Sequence, residues 1–185
     1  IKMNTSEFDL ENAQRITIPV TISVPASAEP GGRYGAVLVS TKATDASKSA
    51  ANVVSRIGTL FYVRIKGDVI EKASVTDFKT VDGKKLFSKG PVPMQILVKN
   101  EGSVHSTPSG RIEITNMTGK MVGVVKLDPW FVLPASLKVR EASWEPTGLA
   151  FGKYTAKAII DLGYGDKTDT KTTTFWVIPW GSILT

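Results

Sequence analysis

Residues 15–41 read RITIPVTISVPASAEPGGRYGAVLVST. Ile16, Ile18, Val20, Ile22 and Val24 alternate without a break against Arg15, Thr17, Pro19, Thr21 and Ser23. That period of two lays one face of a strand on a core and the other in water. A turn over Pro25 to Gly32 follows, and Tyr34 to Thr41 predicts a second strand, apolar on both faces through Ala36, Val37, Leu38 and Val39. Two strands joined through Pro and Gly predict a β-sandwich.

Working outward, residues 1–10 carry Phe8 and Leu10 as their apolar points, enough for a short edge strand. Residues 42–52, KATDASKSAAN, are small, polar and aperiodic, and read as a loop. Ile57, Thr59, Phe61, Val63 and Ile65 then alternate in a strong third strand, Gly67-Asp68 turns the chain, and residues 69–80 predict a further strand with Val75 and Phe78 as core contacts. Val81-Asp82-Gly83 and KKLFSKGPVP (84–93) interrupt the pattern with a turn, a glycine and two prolines. Beyond them the grammar repeats. Met94, Ile96 and Val98 alternate, as do Ile112 and Ile114, then Tyr154, Ala156, Ala158, Ile160 and Leu162, before a closing strand over 172–178. Short strands about every 8 to 12 residues and no convincing helix predict an all-β chain. Its 185 residues accommodate two tandem immunoglobulin-like β-sandwich domains of roughly 90 to 100 residues each. The expected division is domain 1 over 1–85, a linker over 86–93, domain 2 over 94–180 and a tail over 181–185.

With no cysteine, the chain has neither a disulfide framework nor a thiolate metal site. The net charge of +6 comes from basic residues scattered singly, with only Lys84 and Lys85 adjacent, which is the pattern of a solvated surface. Nucleic-acid binding needs basic clusters interleaved with aromatics and is not expected. The first ten residues have no basic start and no apolar run of a signal peptide, and no run reaches the ~18 apolar residues of a spanning helix.

Chemistry-bearing groups are sparse. His105 is the single histidine, so a hydrolase would have to use it with Ser103 or Ser106 and Glu101, on a segment without a nucleophile elbow. A hydrogen-bonded structural histidine is the simpler reading. Asp161, Asp166 and Asp169 crowd the hairpin DLGYGDKTDT (161–170) and are weak calcium candidates, although tight hairpin loops favour Asp and Gly for their own reasons. Gly31-Gly32-Arg33-Tyr34-Gly35 precedes no helix and so is a turn rather than a phosphate loop. Arg33 and Tyr34 beside it are candidates for partner contact, as is Trp144 in the polar context EASWEPTG. Phe175, Trp176 and Trp180 end the chain with an aromatic run suited to a membrane surface or to finishing a core strand.

IPVTISVPASAEPGGRYGAVLVS (18–40) resembles the peptidoglycan-binding domain of the WxL-interacting proteins of bacterial surfaces. VKNEGSVHSTPSGRIEITNMTGK (98–120) resembles the start of the second immunoglobulin-like domain of such proteins, and FWVIPW (175–180) looks like the motif before the anchoring helix of membrane-tethered tandem-domain proteins. The chain itself carries neither the tether nor a Trp-x-Leu motif. The resemblance implies export, membrane anchoring through a further C-terminal segment, and contact with a cell-wall polymer or a surface protein. The expected function is therefore non-enzymatic and needs no cofactor. The alternatives are a periplasmic pilus-type chaperone built from two such domains and, behind it, a hydrolase using His105.

Overall fold

The computed structural model describes residues 1–42, 54–148 and 150–179. Its strands in chain order are β1 (Lys2–Met3), β2 (Val20–Thr21), β3 (Gly31–Ser40), β4 (Arg56–Ile65), β5 (Ala73–Thr80), β6 (Leu86–Phe87), β7 (Val92–Asn100), β8 (Ser109–Asn116), β9 (Met121–Leu127), β10 (Ser136–Trp144), β11 (Gly152–Asp161) and β12 (Thr168–Val177). A single turn of 3-10 helix at Val81–Gly83 is the only helical element among the described residues, so the chain is all-β as its periodicity predicts. It divides into two compact units, Ile1–Asp68 and Val69–Thr185.

The first unit holds two separate two-stranded sheets. One pairs β1 with β2, and the other pairs β3 with β4 from Gly31 opposite Ile65 to Ser40 opposite Arg56. The long strand expected over residues 15–24 enters a ladder only at Val20–Thr21. Pro19 and Pro25 on either side of that short pairing lack the N–H a ladder needs, and residues 15–19 and 22–24 belong to no strand. Ile18 and Val20 are half-buried, whereas Ile16, Ile22 and Val24 are exposed. Of this unit's described residues only Gly31 is fully buried, at φ +133°, a backbone region that favours glycine. The predicted loop over 42–52 lies, apart from its first residue, outside the described residues.

The second unit is an immunoglobulin-like β-sandwich. One sheet has the order β10-β7-β5, and the other β6-β12-β11-β8-β9. Strands alternate inward and outward along their length: in β7 Val92, Met94, Ile96 and Val98 are buried, and in β11 Gly152, Tyr154, Ala156, Ala158 and Ile160 are. Two facing sheets bury these rows against Ile112 and Ile114 of β8 and Phe175 and Val177 of β12. An aromatic cluster closes one part of the core, with Trp144, Tyr154 and Phe175 at ring separations of 5.1, 5.8 and 5.9 Å. Near the start of β11, Phe151 N–H donates to the Tyr154 hydroxyl oxygen at 3.1 Å, and that hydroxyl donates back to Phe151 O at 3.4 Å. This is the tyrosine corner of immunoglobulin-like sandwiches, formed here without the disulfide that antibody domains carry.

The expected boundary at 86–93 is corrected by this pairing. β5 lies antiparallel to β7, from Ala73 opposite Asn100 to Thr80 opposite Met94, so residues 69–85 belong with the second unit. The segment read as a linker carries the chain from one sheet to the other. Leu86–Phe87 pair in parallel with Trp176–Val177, and Phe87 enters the core against Phe175. Prolines and a glycine between two strands mark a connection, but only the pairing tells whether it joins two domains or two sheets of one.

Candidate functional site

β11 and β12 pair from Gly152 opposite Val177 to Asp161 opposite Thr168, and β8 and β9 extend the sheet on the far side of β11. Because Phe175 and Val177 face the core, the even-numbered residues of β12 face solvent. They are Thr168, Thr170, Thr172, Thr174 and Trp176, all exposed. The register sets Thr174, Thr155 and Thr115 in one row across three strands. The next row is Thr172, Lys157, Glu113 and Val124, and the one beyond it Thr170, Ile159, Arg111 and Lys126. Trp176 stands at the head of the stripe opposite Lys153, with 45% of its surface open. Glu113 is engaged by Arg111 Nε at 2.7 Å, which leaves Lys153, Lys157 and Lys126 to set the sign of the face. The result is a sheet face of hydroxyls and lysines with one exposed indole, on which the exposed Val124 and the carboxylates of Glu113 and Asp161 also stand.

This face was missed from sequence, although the alternation TxTxTxW over 170–176 is its signal. Trp144, a candidate for partner contact, is 4% exposed and part of the aromatic core. Its neighbours in EASWEPTG are polar, yet it ends β10 on the inward-facing row, and strand parity outweighs local composition. Phe175 is likewise a core residue, while Trp180 and the tail over 181–185 lie outside the described residues.

In the first unit Arg33 folds back on its own turn. It donates to Gly32 O at 3.2 Å and Glu29 O at 3.4 Å and lies 3.6 Å from the Glu29 carboxylate. Tyr34 meets Tyr62 edge to face at 5.7 Å. Both Arg33 and Tyr34 line an apolar cavity of ≈ 320 Å³ with Ile22, Val24, Phe61, Val63 and Ile65.

His105, Ser103, Ser106 and Glu101 each engage other groups. His105 packs edge to face on Phe131 at 5.5 Å. Ser106 Oγ donates to Leu162 O at 2.6 Å in the core, Ser103 Oγ accepts from Ile70 N–H at 2.9 Å, and Glu101 is held by Lys99 and Lys72 at 3.0 and 3.4 Å. The two lysines, Lys99 first, hold the Glu101 carboxyl below its ordinary range.

The acidic hairpin is similarly spoken for. Asp161 Oδ1 accepts from Gly163 N–H at 2.8 Å. Asp169 accepts from Thr170 N–H with Oδ1 and, at the bulge between Val75 and Asp77, from Val75 N–H with Oδ2, each at 2.8 Å. Asp166 takes a left-handed backbone at φ +50° in the turn. No group of three or more His, Cys, Asp or Glu among the described residues is placed to hold a metal ion. No helix among them is long and apolar enough to cross a membrane.

No family model matches the sequence, and no curated protein matches it. Among solved structures, the chain is similar to the CARDB domain of a Pyrococcus furiosus protein, crystallised in complex with di-metal ions. The identity is 19% and the TM-score 0.39, over 59% of this chain and 90% of that one.

Proposed function

We propose that this chain is a non-enzymatic binding module of the bacterial cell envelope, and that the outer face of the five-stranded sheet holds a cell-wall polymer. The observation that carries the reading is the exposed Trp176 at the head of the Thr168, Thr170, Thr172 and Thr174 stripe, flanked by Lys153 and Lys157. An indole offers a flat apolar platform for a sugar ring, the hydroxyls offer donors and acceptors at strand spacing, and the lysines favour an anionic polymer. The resemblance of residues 18–40 and 98–120 to wall-binding surface proteins supports the same reading. It also supports an extracytoplasmic location and a membrane anchor in a longer protein.

Retention on purified wall sacculi tests this directly. The chain is expected to co-sediment, and Trp176→Ala to weaken retention by about tenfold, as loss of a single aromatic anchor does. Trp176 is outside the core, so far-ultraviolet circular dichroism of the variant is expected to match the parent. No co-sedimentation of the parent, or equal retention of the variant, sinks the proposal.

A further inference from the structure

Among the described residues, β10 is the outermost strand of its sheet, bonded to β7 on one side only. Constant-type immunoglobulin sandwiches set a fourth strand beside this position. Here the chain between β9 and β10 turns elsewhere. Trp130 N–H donates to Pro108 O at 3.1 Å, and Val132 and Ser106 exchange backbone bonds at 2.9 and 3.0 Å. That segment therefore lies against the β7–β8 connection, and the edge of β10, nine residues without proline, has no further backbone partner among the described residues.

Both faces of that edge are marked. On the outer face Leu137 and Val139 are 55% and 45% exposed. On the other, in the same parity as the buried Trp144, stand Lys138 and Arg140. The Arg140 guanidinium lies over the Trp130 indole, its Cζ 5.7 Å from the ring centroid. Arg140 Nε and Trp130 Nε1 are both shielded from solvent, and neither meets an acceptor among the described residues. Indole and guanidinium N–H groups are donors only, and leaving one buried and unmet costs about 1–3 kcal/mol, more where it is charged. A carboxylate supplies what two such donors need, several lone pairs and a negative charge.

We propose that the free edge of β10 receives an extended peptide segment by strand addition, and that the segment sets a carboxylate side chain against Arg140 and Trp130. The pattern it must carry follows from the edge. Residues opposite Leu137 and Val139 are apolar, and those opposite Lys138 and Arg140 are acidic, so the segment alternates Val or Ile with Glu or Asp. This site is on a sheet edge, away from the outer face proposed for wall polymer, and stands without it.

The test uses the full chain, nitrogen-15 labelled, with the Trp130 indole signal assigned by Trp130→Phe. Acetate is titrated against chloride at equal ionic strength, and then the peptide acetyl-Thr-Val-Glu-Val-Glu-Val-Thr-amide against its Gln counterpart. The Trp130 indole proton is expected to shift with acetate and not with chloride. The Glu peptide is expected to move the β10 backbone amides as well and to bind about tenfold tighter than the Gln peptide, the worth of a charge-assisted hydrogen bond. Arg140→Met is expected to abolish both responses while the signals of the other tryptophans stay in place, which shows that the core is kept. Equal responses to acetate and chloride, or an Arg140→Met chain that responds like the parent, overturn the carboxylate site. Equal affinity of the two peptides also overturns the carboxylate site, and an acetate response with β10 amides unmoved by either peptide overturns strand addition.

Discussion

β3 and β11 are both ten residues long and both begin with glycine, yet β3 buries one residue and β11 five. β3 is the more apolar to the eye, with Ala36, Val37, Leu38 and Val39 in succession, while β11 interleaves Lys153, Thr155 and Lys157 among small and aliphatic residues. The difference lies in what each strand faces. β11 runs between β12 and β8 in a five-stranded sheet that packs on a second sheet, whereas β3, among the described residues, has only β4 in its sheet. Apolar residues leave water only where another layer covers them, and a two-stranded ribbon supplies no such layer. Leu38 and Leu60 accordingly keep 58% and 62% of their surface exposed, while Ile160 and Phe175 keep none.

The largest expected effect divides the two units. Phe175→Ala removes the ring shared by Trp144, Tyr154 and Phe87 and is expected to cost about 3–5 kcal/mol. All tryptophans lie beyond residue 129, so urea unfolding followed by their fluorescence reads this unit selectively. Leu60→Ala in β4 is expected to change the stability of its own unit by less than about 0.5 kcal/mol, measured by hydrogen exchange of β3 and β4 amides. A Leu60→Ala cost as large as that of Phe175→Ala would break the comparison, because it would mean that the face of β4 is covered.

Asp169→Ala comes next, with an expected loss of about 1–3 kcal/mol, since Val75 N–H is then left without its acceptor. Because that carboxylate is committed to backbone, a chelator is expected to leave the parent's unfolding midpoint where it is. A chelator-induced drop would restore the calcium reading of the hairpin. Tyr154→Phe, which deletes the corner bonds to Phe151 and keeps the ring, is expected to cost about 1 kcal/mol in the same urea assay.

The smallest effect concerns pH. The hydrogen bond from Lys79, at 2.8 Å, is the main reason the Asp77 carboxyl is held below its ordinary range. A carboxyl lowered in the folded state adds stability above its unfolded value of ~3.9, and that contribution is lost as the pH falls through the lower folded value. Both side chains are 43% exposed, so the loss on acidification is expected to stay below about 0.5 kcal/mol and to vanish in Lys79→Met. A larger acid-labile term that survives Lys79→Met would place its origin elsewhere.

Much of the second unit was legible because its strands alternate strictly. Met94, Ile96, Val98, Ile112, Ile114 and Ile160 are predicted inward and are buried. What misled was local context. Trp144 sits among polar neighbours but on an inward row, and Asp169 looks like a loop ligand but bonds across the sheets to β5. Residues 86–93 have the composition of a linker, and their crossing between sheets follows from the partners of β5 and β6.

By itself the sequence determined the all-β class, the position of most strands, the inward parity of the second unit's core and the absence of disulfide or thiolate chemistry. These follow from residue type and a period of two, which act over a few neighbouring positions. Tertiary structure decided which strands became neighbours, and so where the units divide, which of the described tryptophans faces solvent, and why Arg140 stands at a free edge. Those outcomes depend on hydrogen-bonded partners far apart in the chain, such as β5 with β7 and β6 with β12, and strand periodicity is the same whichever partner is chosen.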